Sequence, residues 1–220
     1  MKTPSSTHDR LAVAAAKIFY RDGITASGVD AVVRYAGISK PTLYTHYRSK
    51  SELVAAALDV QHQARRRMMQ EYLEQRGGQP PAERLLGIFD WLETWSQDQG
   101  VRGCAFLNAA AELAGPQDEM ARQVVREHKQ WWLTLLTDLA RDAGAVDPVR
   151  LADELLLLMD GVSARVLVMG QAGSAASARR VARLLLQESL THSPHGMRSP
   201  AIVPSGAPGR PLKAEGDSEG

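Results

Sequence analysis

Apolar residues recur at the spacing of an α-helix along most of the chain, and this pattern predicts an all-α protein. The first stripe follows Ser6 or Thr7, either of which can cap a helix, and ends at Gly23, a residue suited to a helix C-terminus. No alternating, strand-like pattern continues for more than a few residues. The apolar positions of the first stripe share one helix face: Leu11, Ala14, Ala15, Ile18 and Phe19.

Two short helices are predicted next, with a turn at Gly37 between them. The first covers about 28–36 and can be capped by Ser27. The second can be capped by Ser39, with Pro41 in its first turn, where a missing N–H costs nothing. Two short helices joined by a glycine turn form a helix-turn-helix, which lays its second helix in the major groove of DNA.

The helical pattern continues to about residue 190. A capping box at 49–52 opens a fourth helix that reaches about residue 75 and is stopped by the Gly-Gly-Gln-Pro-Pro sequence of 77–81. From residue 191 the chain is rich in Pro, Gly, Ser and charge, which predicts a disordered tail over 191–220. Further helices are predicted over 82–97, 104–113, 117–143 and 148–169, and from Ser174 or Ser177 to 190.

These elements predict a helix-turn-helix domain over residues 1–50, a linking helix from about 50 to 75, and a larger helical domain within 51–190. Charge separates the same parts. The first 50 residues hold eight Lys or Arg and three Asp or Glu, whereas the rest hold 18 basic and 22 acidic residues, although the whole chain has a net charge of +1. A basic N-terminal part on an acidic remainder favours nucleic acid as the partner of that part alone.

Composition excludes several other classes of protein. Cys104 is the single cysteine, so an intrachain disulfide and a Cys-based zinc site are both excluded. The N-terminus lacks the apolar run of a signal peptide, and the longest apolar runs are too short for a bilayer, so we expect a cytoplasmic protein without membrane contact. No metal-binding pair, phosphate loop or catalytic motif is present. We therefore expect neither a cofactor nor an enzyme, and Cys104 with His128 and Glu112 is only a remote enzymatic alternative.

The segment 37–50 carries the candidate DNA contacts. Ile38 and Leu43 are the apolar residues that can hold the third helix in place. Lys40 can reach a guanine edge or a phosphate, and Thr42 can meet a thymine methyl group or a base-edge acceptor.

The aromatic and basic residues that follow suit phosphate oxygens: Tyr44, His46, Tyr47 and Arg48. Tyr44 and Tyr47 can equally be core residues. Lys50 lies in the first turn of the fourth helix, where its charge opposes the helix dipole unless a phosphate lies nearby, so Lys50 is a further phosphate candidate.

Residues 10–58 resemble the N-terminal domain of the TetR family of bacterial transcriptional regulators. The motif of 42–50, Thr-Leu-Tyr-Thr-His-Tyr-Arg-Ser-Lys, is close to the family signature, and 28–33 matches in placement. The resemblance implies an all-helical homodimer that binds double-stranded DNA, with a ligand-binding and dimerisation domain over 51–190. Asp30 departs from the pattern, and its charge would repel phosphate. Carried over by position, the DNA contacts are Lys40, Pro41, Thr42, Tyr44, His46 and Lys50.

The resemblance also implies a pocket for a small-molecule effector. The segment 103–113 is similar to one found in a large subgroup of these regulators, and places Cys104, Asn108 and Glu112 four residues apart on one helix face. The aromatic residues of the predicted pocket, which are named below, can instead be ordinary core residues. Cys104 at a helix N-terminus also allows a second function, redox or electrophile sensing by its thiol. The predicted pocket adds four tryptophans to the three polar residues: Trp91, Trp95, Trp131 and Trp132.

Apolar stripes on the last two helices predict a four-helix dimer interface, although both stripes can instead close the monomer core. Two recognition helices about 34–36 Å apart would read a palindromic operator. The sequence therefore predicts a homodimeric repressor that a small molecule releases from DNA. The stripes are Leu151, Leu155, Leu158, Val162 and Val166, and Val181, Leu184, Leu185 and Leu190.

Overall fold

The computed structural model describes residues 6–98, 100–113, 115–170 and 173–191. Over these ranges the chain forms nine α-helices and one 3-10 turn, and no strand, which confirms the all-α prediction. The predicted disordered tail lies outside the described residues, apart from residue 191. The helices are α1 (Thr7–Asp22), α2 (Val29–Ala36), α3 (Lys40–His46), α4 (Lys50–Glu74), α5 (Pro81–Asp98), α6 (Ala105–Glu112), α7 (Glu119–Asp142), α8 (Pro148–Met169) and α9 (Ser174–Thr191).

Side-chain caps fix the beginnings of α3 and α4. The Ser39 hydroxyl accepts a hydrogen bond from the Thr42 N–H at 3.2 Å, and the Ser49 hydroxyl accepts one from the Glu52 N–H at 3.1 Å. Gly37 ends α2 in the left-handed conformation (φ 65°), which a glycine adopts without strain. The predicted cap of α2 was wrong: Gly28 is the N-cap, because the Ser27 side chain is buried instead.

Helices α1 to α3 share one hydrophobic core with the N-terminal half of α4. Leu11, Val32, Leu43 and Leu53 are fully buried in it. Helix α6 packs onto the same core through Phe106 and the small residues beside it. The helix-turn-helix is therefore supported from below by α4 and α6.

The second core lies among α5, α7, α8 and α9 and takes in the C-terminal half of α4 through Met69. Helix α7 packs against both α4 and α8, and α9 packs against both α5 and α8. Because α4 has 25 residues, it runs about 37 Å and belongs to both cores. None of the helices described here is long and apolar enough to cross a membrane.

Candidate nucleic-acid interface and effector cavity

The outer face of α3 presents four of the seven predicted DNA contacts to solvent. Lys40, Pro41 and His46 are exposed, and Tyr44 is 47% exposed. Thr42 is half-buried, and its hydroxyl lies 2.7 Å from that of Ser39. The fully buried Leu43 anchors the opposite face of the helix.

Lys40 is held by Asp30 of α2. Its ammonium lies 2.9 Å from Oδ1 of Asp30, and both side chains are largely exposed. The hydrogen bond and the charge of Asp30 raise the pKa of Lys40. Asp30 is not itself a predicted DNA contact. It therefore acts by orienting Lys40, which is one.

Tyr47 is a core residue, and its inclusion among the DNA contacts was wrong. Its side chain is 1% exposed, and its hydroxyl donates to the carbonyl oxygen of His8 at 3.0 Å. The ring also stacks on the His8 imidazole, with 4.6 Å between centroids. Desolvation raises the pKa of Tyr47 to about 12. The tyrosine joins the end of α3 to the beginning of α1.

Lys50 is turned toward the loop between α1 and α2. Its ammonium donates to the carbonyl oxygen of Ile24 at 2.6 Å and lies 6.0 Å from the centre of the Phe19 ring. The side chain is half-buried. This hydrogen bond fixes the loop in the DNA-free structure and leaves two further N–H groups of the ammonium for a phosphate contact.

A cavity of about 30 Å³, the central cavity, lies between α4, α5, α6, α7 and α8, and four of the seven predicted effector residues line it. The rings of Trp91 and Trp95 are stacked, with 5.9 Å between centroids, and Trp132 lies 6.1 Å from Trp91. Cys104 is half-buried at the N-cap of α6. Apolar lining comes from Phe106, Leu156 and Met159 as well.

The other three predicted effector residues lie elsewhere. Asn108 donates to the carbonyl oxygen of Arg102 at 2.9 Å, and Glu112 accepts from the N–H of Thr25 at 2.6 Å. Both line a separate cavity of about 20 Å³ between α1, α4 and α6. Because Cys104 precedes the first residue of α6, the expected helical face does not include it. Trp131 lines an outer groove rather than the central cavity.

Two buried histidines join α4 to α7 beside the central cavity. The Nδ1 atoms of His62 and His128 are 3.1 Å apart, and the Trp132 indole donates to Nε2 of His128 at 3.2 Å. An indole nitrogen only donates, so Nε2 of His128 is the acceptor. Neutral His128 therefore carries its proton on Nδ1 and donates a hydrogen bond from it to His62. Burial lowers the pKa of His62, and burial with the neighbouring His62 lowers that of His128 to about 2. Both imidazoles are neutral.

The remote enzymatic alternative finds no assembled triad here. Cys104 and His128 both line the central cavity, but Glu112 is bonded to Thr25 on the far side of α6. The imidazole of His128 is already engaged by its two neighbours. Over the part of the chain that the structure describes, no cluster of His, Cys, Asp and Glu could hold a metal ion.

Arg65, which was not among the predicted effector residues, lies in the wall of the central cavity. Its guanidinium carbon is 3.9 Å from the centre of the Trp95 ring and 4.8 Å from that of Trp91. Burial lowers its pKa to about 10, still well above neutrality. A signal was present, because Leu58, His62, Arg65 and Met69 are spaced at four, three and four residues, on one helix face.

The predicted apolar stripe of α8 closes the core of the monomer, which is one of the two alternatives that the sequence leaves open. Leu151, Leu155, Val162 and Val166 are all buried within one chain. Other apolar residues of α8 are exposed, led by Val168 at 80% and Leu157 at 66%. On α9 the predicted residues are more open: Val181, Leu184 and Leu190 are exposed.

Two family models match the chain. The first, described as bacterial regulatory proteins of the tetR family, matches residues 11–57. The second, described as the tetracyclin repressor-like C-terminal domain, matches residues 81–182. The first match covers the helix-turn-helix and the second covers most of the helices that surround the central cavity.

Known proteins show the same likeness. A crystal structure assigned to the TetR transcriptional regulators, from Streptomyces avermitilis, has a TM-score of 0.71 and 30% identity, covering 86% of this chain and all of that one. The transcriptional regulator TtgR of Pseudomonas putida is 23% identical over 173 residues, 74% of this chain and 81% of its own. The transcriptional activator FasR of Mycolicibacterium smegmatis is 45% identical, over only 49 residues and 22% of either chain.

Proposed function

This chain belongs to the TetR family of bacterial regulatory proteins, and from that premise we propose that it is a homodimeric repressor released from a palindromic operator by a small molecule. As a family member it is a DNA-binding transcriptional regulator and not an enzyme. In this proposal residues 1–50 bind DNA and residues 51–190 bind the effector and form the dimer. The proposed DNA contacts are Lys40, Pro41, Thr42, Tyr44, His46 and Lys50.

The observation that carries the proposal is the position of α4. Its first half packs against the helix-turn-helix, and its second half forms part of the wall of the central cavity. A ligand that changes the packing of Arg65 or His62 would therefore move a helix on which α3 rests. Such a ligand shifts the equilibrium only by the difference in its affinity for the two arrangements.

Dimer formation is supported by the exposed apolar side chains of α8 and α9. Leu157, Val168 and Leu184 are each exposed on the outer side of these helices. An exposed apolar patch of this kind favours association with another surface. A second copy would place two α3 helices on one face of DNA, at the spacing of one helical turn.

A second mode of signalling, by the thiol of Cys104, is favoured by one observation. Cys104 is half-buried at the N-cap of α6 and lies in the wall of the cavity, where a reagent that enters the cavity would meet it. Replacing Cys104 with Ser should leave induction by a non-covalent effector intact. Loss of response to oxidants or electrophiles in that variant would identify the thiol as the sensor.

The test of the main proposal is selection of bound duplexes from a random DNA pool with the full-length protein. We expect a palindrome whose half-sites are about one helical turn apart. A single unrepeated site would overturn the dimeric arrangement. Transcription from the selected operator in a reporter then separates a repressor from an activator, since deletion of a repressor raises expression.

A further inference from the structure

Arg65 has a buried nitrogen without a partner in the wall of the central cavity. Its Nη1 atom is enclosed, and none of the residues that the structure describes accepts a hydrogen bond from it. The guanidinium lies on the faces of Trp95 and Trp91, which stabilise a cation but accept no conventional hydrogen bond. A buried guanidinium loses its hydrogen bonds to water, and carboxylate or carbonyl oxygens normally replace them.

The remaining charges of the cavity wall cancel one another. Lys129 and Asp160 form an ion pair with each other, and His128 is neutral. Within the described ranges, no carboxylate forms an ion pair with Arg65. The cavity therefore has a net positive charge, which Arg65 contributes to a lining whose other residues are mainly aromatic and aliphatic.

We propose that the cavity binds a small organic anion, whose carboxylate pairs with Arg65 and whose apolar body packs against Phe106, Trp132 and Met159. This inference rests on the proposed function, and it names the chemical class of the effector. A carboxylate would satisfy the unpaired Nη1 atom and neutralise the charge at once, which a neutral molecule of the same shape cannot do. A cationic effector would meet an uncompensated like charge.

The central cavity has room for only one or two water molecules, so the anion must displace part of the wall. An open groove of about 260 Å³ between α1 and α4 lies on the other side of Arg65 and Trp95, which line both spaces. Rotation of these two side chains would join the groove to the cavity. Binding would then change the packing of α4 at the point where it passes from one core to the other.

Matched acids and amides test the proposal on the full-length protein. The probes are octanoate with octanamide and benzoate with benzamide, followed by tryptophan fluorescence and thermal shift. Each acid should bind at least about tenfold more tightly than its amide, the ratio that one charge-assisted hydrogen bond provides. Equal affinity of acid and amide, or no binding by either acid, would overturn the inference.

Variants of neighbouring arginines assign the effect to one side chain. Arg65→Met should lower the affinity for the acids by about tenfold or more and leave the affinity for the amides unchanged. Arg66→Met, one position along α4 and exposed, should bind acids as the wild type does. If Arg65→Met does not fold, Arg65→Gln keeps a donor without the charge and should lose the same preference. Retention of the acid preference in either Arg65 variant would contradict the proposal.

Operator release by the same probes separates this inference from the proposed function. If the acids bind through Arg65 without releasing DNA, the anion site stands and ligand-controlled repression falls. If the amides release DNA as well as the acids do, ligand control stands and the anion site falls. Release by acids alone, lost in Arg65→Met, supports both.

Discussion

The Glu112 carboxylate, in the last turn of α6, accepts a hydrogen bond from the backbone N–H of Thr25, with 2.6 Å between Oε2 and N. The carbonyl oxygen of Ile24, the preceding residue of the same loop, accepts a hydrogen bond from the Lys50 ammonium. The loop between α1 and α2 is therefore held from two sides, by a carboxylate of α6 and an ammonium of α4. Gly23 begins this loop at a φ of 91°, which favours glycine.

Glu112→Ala should remove one of these two supports. We expect the free energy of unfolding to fall by about 1 kcal/mol, because the Thr25 N–H exchanges a carboxylate partner for water. Denaturation in urea measures the loss. Glu71→Ala, an exposed acidic position on α4, is the matched control and should change stability little. An equal loss in both variants would mean that the Glu112 hydrogen bond contributes nothing specific.

Asp30→Asn should strengthen binding to DNA. The ion pair with Asp30 competes with phosphate for Lys40, and the carboxylate itself repels the DNA backbone. With both effects removed, the slope of log K against log salt should steepen by about 0.9, the contribution of one further neutralised phosphate. Fluorescence anisotropy on operator and random duplexes between about 50 and 200 mM salt gives this slope.

The control for net charge is Asp59→Asn on α4. Asp59 is exposed and hydrogen-bonded to Gln63 of the same helix. It lies on α4 and not in the helix-turn-helix, so its replacement should leave the salt slope close to that of the wild type. If both variants steepen the slope equally, the change comes from net charge and not from release of Lys40.

Tyr47→Phe should affect stability and not DNA binding. The His8 carbonyl loses its donor, which should lower the free energy of unfolding by about 1 kcal/mol, while the ring still fills its place in the core. Tyr44→Phe gives the opposite comparison, since Tyr44 is exposed on α3. Its hydroxyl can be lost without cost to folding, and weaker operator binding would identify it as a phosphate contact. Weaker binding by Tyr47→Phe at unchanged stability would return that residue to the DNA interface.

The helices could be predicted from the sequence because their signals are local. Ser39 and Ser49 cap the helices that follow them, and the Asp147-Pro148 pair opens α8, as capping chemistry requires. The fate of Tyr47 could not be decided in this way. Its burial depends on a hydrogen bond and a ring contact with His8, 39 residues earlier in the chain.

The cavity could be predicted only in part, because its walls come from five helices, α4 to α8, whose contributing residues are far apart in the sequence. Trp131 and Trp132 are adjacent, so they point about 100° apart on α7 and only one of them can face the cavity. The pattern does not say which one. Arg65 was hidden for another reason: it begins a run of three arginines, and such a run is ordinarily a solvated face. Its burial follows from the packing of α4 against α5.

The histidine pair should make the protein less stable in mild acid. An unfolded histidine titrates near pH 6.5, whereas burial lowers the folded pKa of His128 to about 2 and also lowers that of His62. Below pH 6.5 the unfolded chain therefore binds more protons than the folded chain does, and the free energy of unfolding falls as the pH falls. For His128 alone the loss at about pH 5.5 is about 1 kcal/mol relative to neutral pH, and His62 adds to it in the same direction.

Urea denaturation between about pH 7.5 and pH 5.5 measures this loss, in the range set by the histidine pKa. His128→Gln is the informative variant, since its amide can donate to His62 and accept from Trp132 without titrating. We expect it to reduce the pH dependence by the His128 share, whatever its stability at neutral pH. An unchanged dependence in His128→Gln would show that the acid sensitivity arises outside the histidine bridge between α4 and α7.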